Sequence, residues 1–216
     1  MAFSETSSEL SKSPEASRLS VDPDKLIGFD TKDSKREISN SESRAPIDAD
    51  KSIEGNKIYT DDGGNQYRIG NELTPNNQYE VNGYTYQSDS HGRIKSAEGQ
   101  LHIDKTPRKV ISSSMESIGK GDQQEGDQRG HLIADKFGGG NGLENIVAMN
   151  GEVNQGDYKA IENKCARALE GNREVHVKIA PKYEGDSHRP SAFRITYIID
   201  GEKTVVTLKN EGGPQK

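Results

Sequence analysis

Apolar positions in this chain change their period twice. Between Lys57 and Ile103 they alternate with polar ones in short runs broken by turn residues. Ile58–Thr60 and Gln66–Ile69 flank Asp61–Gly64, which reads as strand, turn, strand. Gln78–Val81 and Tyr84–Gln87 flank Asn82-Gly83, the pair that two-residue type I′ hairpins prefer. Asp89–Gly92 marks another turn, and Arg93–Ile103 continues as extended chain. Residues 104–126 are polar and show no clear period. From Val153 the spacing becomes helical: Val153, Tyr158, Ile161, Cys165, Ala168 and Leu169 form one apolar stripe, and Gly171 supplies a stop. Alternation returns at Glu174–Tyr183 and at Ala192–Asn210, the latter as two strands joined at Asp200-Gly201. The fold class expected is α+β, with antiparallel hairpins around one helix.

Residues 1–55 have neither period. They are rich in Ser, Asp, Glu and Lys, contain no tyrosine, and are expected to form a disordered tail or linker. The domain proper is expected at 56–216, with a β-hairpin part at 56–103, a loop-and-helix part at 104–171 and antiparallel strands at 172–210. Five of the eight tyrosines lie between Tyr59 and Tyr86, where they are expected to supply core area rather than to stack on bases.

Composition sets outer limits. Hydrophobic residues make up 29% of 216 and there is no tryptophan, which argues against a single uniform globule. No apolar run reaches the ~18 residues of a membrane span, so membrane insertion is not expected. The first residues lack the basic and apolar regions of a Sec signal peptide. One cysteine excludes a disulfide framework or a Cys-rich zinc cage, and Cys165 sits on the apolar stripe as a small hydrophobe. The net charge of -6 belongs to residues 1–100, with 12 basic and 18 acidic side chains, whereas residues 101–216 hold 17 of each. A neutral C-terminal half can still present a basic face to nucleic acid.

Candidate chemistry collects between Gly126 and Glu162. Gly138, Gly139, Gly140 and Gly142 crowd one loop, and asparagines recur at 141, 145, 150 and 154. Such residues also make ordinary loops. His131 is the one histidine placed in this company; His91 falls in a turn, His102 and His176 in expected strands, and His188 in a loop. Asn154 and Glu162 lie on the polar side of the helix, about 80° apart around an ideal helix and about 12 Å apart along it. On a straight helix that separation disfavours a shared ligand shell. One group could bind an ion directly and the other through a water.

The ordered series Asp127-Gln128-Arg129-Gly130-His131-Leu132-Ile133-Ala134, Phe137-Gly138-Gly139, Asn145–Asn150 and Val153–Gly156, continued by Tyr158, Glu162, Arg189-Pro190 and Tyr197–Gly201, resembles the DNA/RNA non-specific endonucleases with a ββα-metal (His-Me finger) site. Within them it is similar to the branch found at the C-terminal ends of bacterial secreted toxins. The resemblance runs from about Tyr84 to Asn210, and the Asp127–His131 spacing is that of the DQxGH form rather than DRGH.

The resemblance implies a single-metal phosphodiesterase using Mg2+, with Mn2+ as a substitute. His131 would be the general base and Asn154 the direct metal ligand, with Glu162 acting through a water. Arg129 and Asp127 would complete the catalytic set, Asp127 as structural support. Arg129, Arg167 and Arg189 would be the candidate phosphate ligands. It further implies DNA, with RNA as a second substrate, delivery into target bacterial cells, and a cognate immunity protein. The alternative from the residues alone is a non-enzymatic β-rich binding or adhesion module. That alternative explains the tyrosine-rich hairpins but not the company of His131, Asn154 and Glu162.

Overall fold

A computed structural model describes residues 57–107 and 110–213, so the expected tail at 1–55 lies outside the described residues. Eleven strands, three α-helices and one 3-10 turn are found there, and every strand pairing is antiparallel. The α+β expectation is met.

Strands β1 (Ile58–Thr60), β2 (Gln66–Ile69) and β3 (Glu72–Leu73) form a small sheet. Strands β4 (Gln78–Val81), β5 (Tyr84–Ser88) and β6 (Ile94–Gln100) make a meander, and β9 (Val175–Lys182), β10 (Ala192–Ile199) and β11 (Glu202–Lys209) make another. The two are not separate layers. Strand β6 pairs with β9, Ala97 opposite Ile179 and Gly99 opposite Val177, so all six strands form one sheet in the order β11-β10-β9-β6-β5-β4. Local pattern identifies each hairpin but carries no information about a pairing between segments so far apart.

Both hairpin turns have the geometry their residues favour. Asn82 and Gly83 have φ of 56° and 74°, and Asp200 and Gly201 have 48° and 87°, the double positive φ of a type I′ turn. Alternation does the rest. Val175, Val177 and Ile179 on β9 and Phe193, Ile195, Tyr197 and Ile199 on β10 are buried, with more exposed residues between them. The tyrosines behave as core: Tyr67 stacks on Tyr79 at 4.7 Å between ring centroids and Tyr79 on Tyr86 at 5.8 Å, all three buried.

A short helix α1 (Met115–Gly119) interrupts the stretch that shows no period, capped by Ser114, whose Oγ accepts from the Ser117 amide. One turn is too short to produce a stripe. A two-stranded sheet then follows, β7 (Asp127–His131) against β8 (Ile146–Asn150), with Asp127 opposite Asn150 and His131 opposite Ile146. Helix α2 (Gly151–Gln155) starts at once because the Asn150 side chain accepts from the amides of Glu152 and Val153. Helix α3 (Asp157–Glu170) follows after Gly156. Its apolar stripe, including Tyr158 and Cys165, packs on the large sheet near Val177, Ile179 and Ile195, with Tyr158 edge-on to Phe193 at 5.7 Å.

Candidate active site

Strand β7 delivers His131 to the end of the two-stranded sheet, where it is 9% exposed. Glycine precedes it for a steric reason. A Cβ at Gly130 would stand 2.7 Å from the Met149 Cβ on the paired strand. The chain then makes a long excursion to β8, held by backbone turns and by side chains rather than by a ladder. Asn145, fully buried, accepts from the Ile133 amide at 2.9 Å and donates to the carbonyls of Ile133 at 2.7 Å and Gly140 at 2.8 Å. The close approach excludes a side chain at Gly139, whose Cβ would lie 1.9 Å from the Ile133 carbonyl oxygen.

Within this loop Asn141 reaches back to the histidine. Its Oδ1 lies 2.8 Å from His131 Nε2, and its Nδ2 donates to Asp135 Oδ1 at 2.9 Å. The Asn141 carbonyl in turn accepts from the Ser112 amide at 3.1 Å, tying the loop to the segment before α1.

The helical side of the site is bent. Gly156, with φ −102° and ψ −106°, separates α2 from α3, and a Cβ there would stand 2.5 Å from the Glu152 carbonyl oxygen. The straight-helix separation of Asn154 and Glu162 therefore does not apply. Both side chains line one cleft of about 400 Å³, together with Arg129, His131, Asp135 and Lys136 and with Asp104, Thr106, Ala134, Gln155 and Lys159. Asn154 Nδ2 donates to Gln128 Oε1 at 2.9 Å, and Gln155 Nε2 donates to the same oxygen at 3.0 Å. With its nitrogen donating to Gln128, the Asn154 amide keeps its oxygen as an acceptor. Glu162 lies 3.7 Å from Lys136 Nζ. The Tyr158 hydroxyl donates to the Leu132 carbonyl at 2.8 Å and so sets α3 against the segment after His131. Burial raises the Tyr158 pKa well above its ordinary value, which keeps that donor protonated. Burial also pushes Cys165 up to about 11, as suits a packing thiol.

The cleft thus gathers His131, Arg129, Asn154 and Glu162. Arg129 is exposed at its wall, with Nη1 3.4 Å from the Ile111 carbonyl and 3.3 Å from that of Ser113. Three other expected residues fall elsewhere. Arg189 needs correction as a phosphate ligand. Its Nε and Nη2 donate to the two carboxylate oxygens of Asp127 at 2.7 and 2.9 Å, Nη2 also donates to the Asn210 carbonyl, and the pair is buried. A guanidinium committed in this way has no fork left for phosphate. Asp127 likewise faces Arg189, its side chain 1% exposed. Arg167 is exposed on α3 but is not among the residues that line the cleft.

Asn210 completes the anchoring. It donates to the carbonyls of Ala148 and Pro190 and accepts from the Asn150 amide at 2.8 Å. The work of Asn141, Asn145 and Asn210 is not visible in sequence spacing. The recurrence of asparagine around the glycine loop is the one signal for the first two.

Two antiparallel strands followed by a helix, with a histidine at the end of the first strand facing an asparagine and a glutamate on the helical segment, define a ββα unit inside an α+β fold. A family model described as DNA/RNA non-specific endonuclease matches residues 75–201, and the chain belongs to that family. The chain is 31% identical over 138 residues to the type VII secretion system protein EssD of Staphylococcus aureus. That match takes in 60% of the chain and 22% of EssD, so the chain spans about a fifth of the curated relative's length. Among solved structures it is similar to NucA from Streptococcus agalactiae without metal, at 17% identity and a TM-score of 0.47, covering 63% of this chain and 72% of NucA. Sda1 nuclease, solved with a bound zinc ion, is similar at 18% identity and a TM-score of 0.43, over 59% of this chain and 75% of Sda1.

Proposed function

We propose that this chain is a metal-dependent endonuclease that hydrolyses phosphodiester bonds of DNA and, by the same backbone-directed chemistry, of RNA. The observation that carries the proposal is the gathering of His131, Arg129, Asn154 and Glu162 around one cleft from a strand end and a bent helix. In this reading His131 takes the proton of the attacking water as a general base. Arg129 holds the phosphate, helped by Lys136 and Lys159 on the same wall. Asp127 and Arg189 stabilise the strand that presents His131.

The donor set fits a hard divalent ion. Among the described residues no group of three or more His, Cys, Asp or Glu could hold a metal ion, while the cleft offers the Asn154 amide oxygen and the Glu162 carboxylate. Few oxygen donors suit Mg2+, which keeps several of its waters, with Mn2+ as a substitute. Asn154 would hold the ion directly and Glu162 through one of those waters. When bound, the ion offsets charge that develops on the phosphate and the leaving oxygen.

This reading takes residues 56–216 as the nuclease domain. The resemblance to secreted toxin nucleases and the match to EssD support an effector delivered into target bacteria, held in check in its producer by an immunity protein. Among the described residues no helix is long and apolar enough to cross a membrane. A binding or adhesion module would leave the assembled cleft without a use.

The test is plasmid nicking with Mg2+, Mn2+ or Zn2+ supplied singly, and with EDTA in excess. Cleavage is expected with Mg2+ and Mn2+ and is expected to stop with the chelator. Full activity in excess EDTA overturns the metal-dependent reading.

A further inference from the structure

We infer that the cleft continues into a nucleobase subsite that favours an unpaired guanine, with His102 as the stacking surface and Asp104 as the acceptor; the inference rests on the reading of the cleft as a nuclease site. The cleft shares Asp104, Thr106 and Asp135 with a neighbouring hollow of about 170 Å³, whose wall also includes Asn82, His102 and Gly138. The two spaces differ in charge. Arg129, Lys136 and Lys159 line the cleft, whereas among the described residues the hollow has two aspartates and no lysine or arginine. Carboxylates repel a phosphate. The part of a nucleotide that suits the hollow is therefore its uncharged base, while the phosphate lies against the basic wall.

The hollow has a platform for a base. The His102 ring lies parallel to that of Tyr84, 5.8 Å between centroids and 5° between planes. Tyr84 is fully buried and His102 is exposed. The Tyr84 hydroxyl donates to the Phe137 carbonyl. With its hydrogen committed there, it accepts from His102 Nδ1 at 3.3 Å, so the ring is held by its edge as well as by its face. An exposed aromatic face backed in this way is the surface on which unpaired bases stack. Asp104 is held as firmly. Its amide donates to the Lys136 carbonyl at 2.9 Å, and its carboxylate accepts from the amide and the hydroxyl of Thr106, each at 2.8 Å. Asn82 Nδ2 donates to the Gly138 carbonyl at 3.0 Å and closes the wall. A Cβ at Gly138 would stand 3.2 Å from His102 Nε2 and 3.6 Å from Asp104 Oδ2. Ring and carboxylate thus converge where a side chain would fill the space.

The acceptor selects the base. An ionised carboxylate only accepts. Guanine sets two donors side by side, N1–H and the N2 amino group. Adenine and cytosine set a ring acceptor beside their amino group, and thymine and uracil flank N3–H with two carbonyls. The guanine donors lie on its pairing edge, so the base must come from a single strand.

Binding tests this without turnover, by fluorescence anisotropy in excess EDTA at low salt, where backbone contacts are strongest. A single-stranded oligothymidine with one central guanine is expected to bind the wild type about tenfold more tightly than the all-thymine strand. Inosine in place of guanine lacks the amino group and is expected to lose most of that gain. His102→Ala and Asp104→Ala are each expected to bind the guanine and all-thymine strands alike, and His102→Phe, which keeps an aromatic face, is expected to keep the preference. Pairing the strands with their complements is expected to abolish it. With Mg2+ restored, cuts in the guanine strand are expected to concentrate at one fixed spacing from the guanine.

Equal wild-type Kd for the guanine and all-thymine strands overturns the inference, as does a preference that both folded alanine variants retain. Should either variant fail to fold, the inosine comparison on the wild type decides, and inosine bound as tightly as guanine overturns the role of Asp104. Cuts spread evenly along the guanine strand overturn the link between hollow and cleft. A guanine preference in binding without cleavage of any strand would instead remove the nuclease reading, an outcome distinct from all of these.

Discussion

The six-stranded sheet and the β7–β8 unit are both antiparallel, yet they are ordered by different means. In the sheet, β5, β9 and β10 are specified by alternation and two of the turns by Asn-Gly and Asp-Gly, and the backbone ladders join the strands. In the β7–β8 unit the ladder is five residues long on each strand, and the loop between the strands is shaped by side chains bonding to backbone. The sheet tolerates any well-packed apolar residue at an inward position. The loop depends on particular amides, because a buried carbonyl without a donor costs far more than a slightly looser contact. The proposed chemistry draws on the second kind of order, where individual polar groups can be aimed.

That contrast can be broken or sharpened by substitution. His131→Ala is expected to lower turnover by about 10²–10⁴-fold while the melting curve stays near wild type; a folded variant with wild-type rates would show that the cleft is not catalytic. Arg189→Ala leaves the Asp127 carboxylate buried and unpaired, at a cost of about 3–5 kcal/mol, read from denaturant midpoints. Its folded fraction is expected to keep the wild-type KM for nucleic acid, and a selective rise in KM would return Arg189 to the phosphate site. Asn145→Ala strands the Ile133 amide and two carbonyls, for about 1–3 kcal/mol, and is expected to lower activity with it. Ile195→Val in the sheet costs about 0.5–1.5 kcal/mol and should leave cleavage alone, so equal activity losses in these two would erase the distinction. Arg167→Ala is expected to shift stability by less than about 0.5 kcal/mol, with no change in cleavage.

Much of the sheet is legible in the sequence because its signals are local. Tyr79, Tyr84 and Tyr86 alternate as buried residues should, and Asn82-Gly83 marks its turn without help from elsewhere. What local pattern cannot carry is the β6–β9 pairing, which depends on two segments meeting in space. The same divide runs through the site. His131, Asn154 and Glu162 stand out by residue type and spacing, but the break at Gly156 that brings the last two to one cleft is a matter of backbone shape. Arg189 reads as a ligand in sequence because an arginine's partner is invisible there. Only the fold shows that Asp127 holds it. Asn141 is hidden for the opposite reason, since an asparagine among glycines is what any loop would contain.

The anchoring of β7 and β8 by Arg189 and Asn210 has a consequence for the order of events during synthesis. The strands that carry His131 are made well before the residues that lock them. Strand β6 must also wait for β9, and closing such a long span costs chain entropy before its contacts are made. A growing chain that has not yet released Asn210 from the ribosome can hold the local hairpins but not the fastened site. The site is therefore fastened only once Asn210 has left the ribosome, and a product that stops short of Asn210 is left with its histidine strand unfastened.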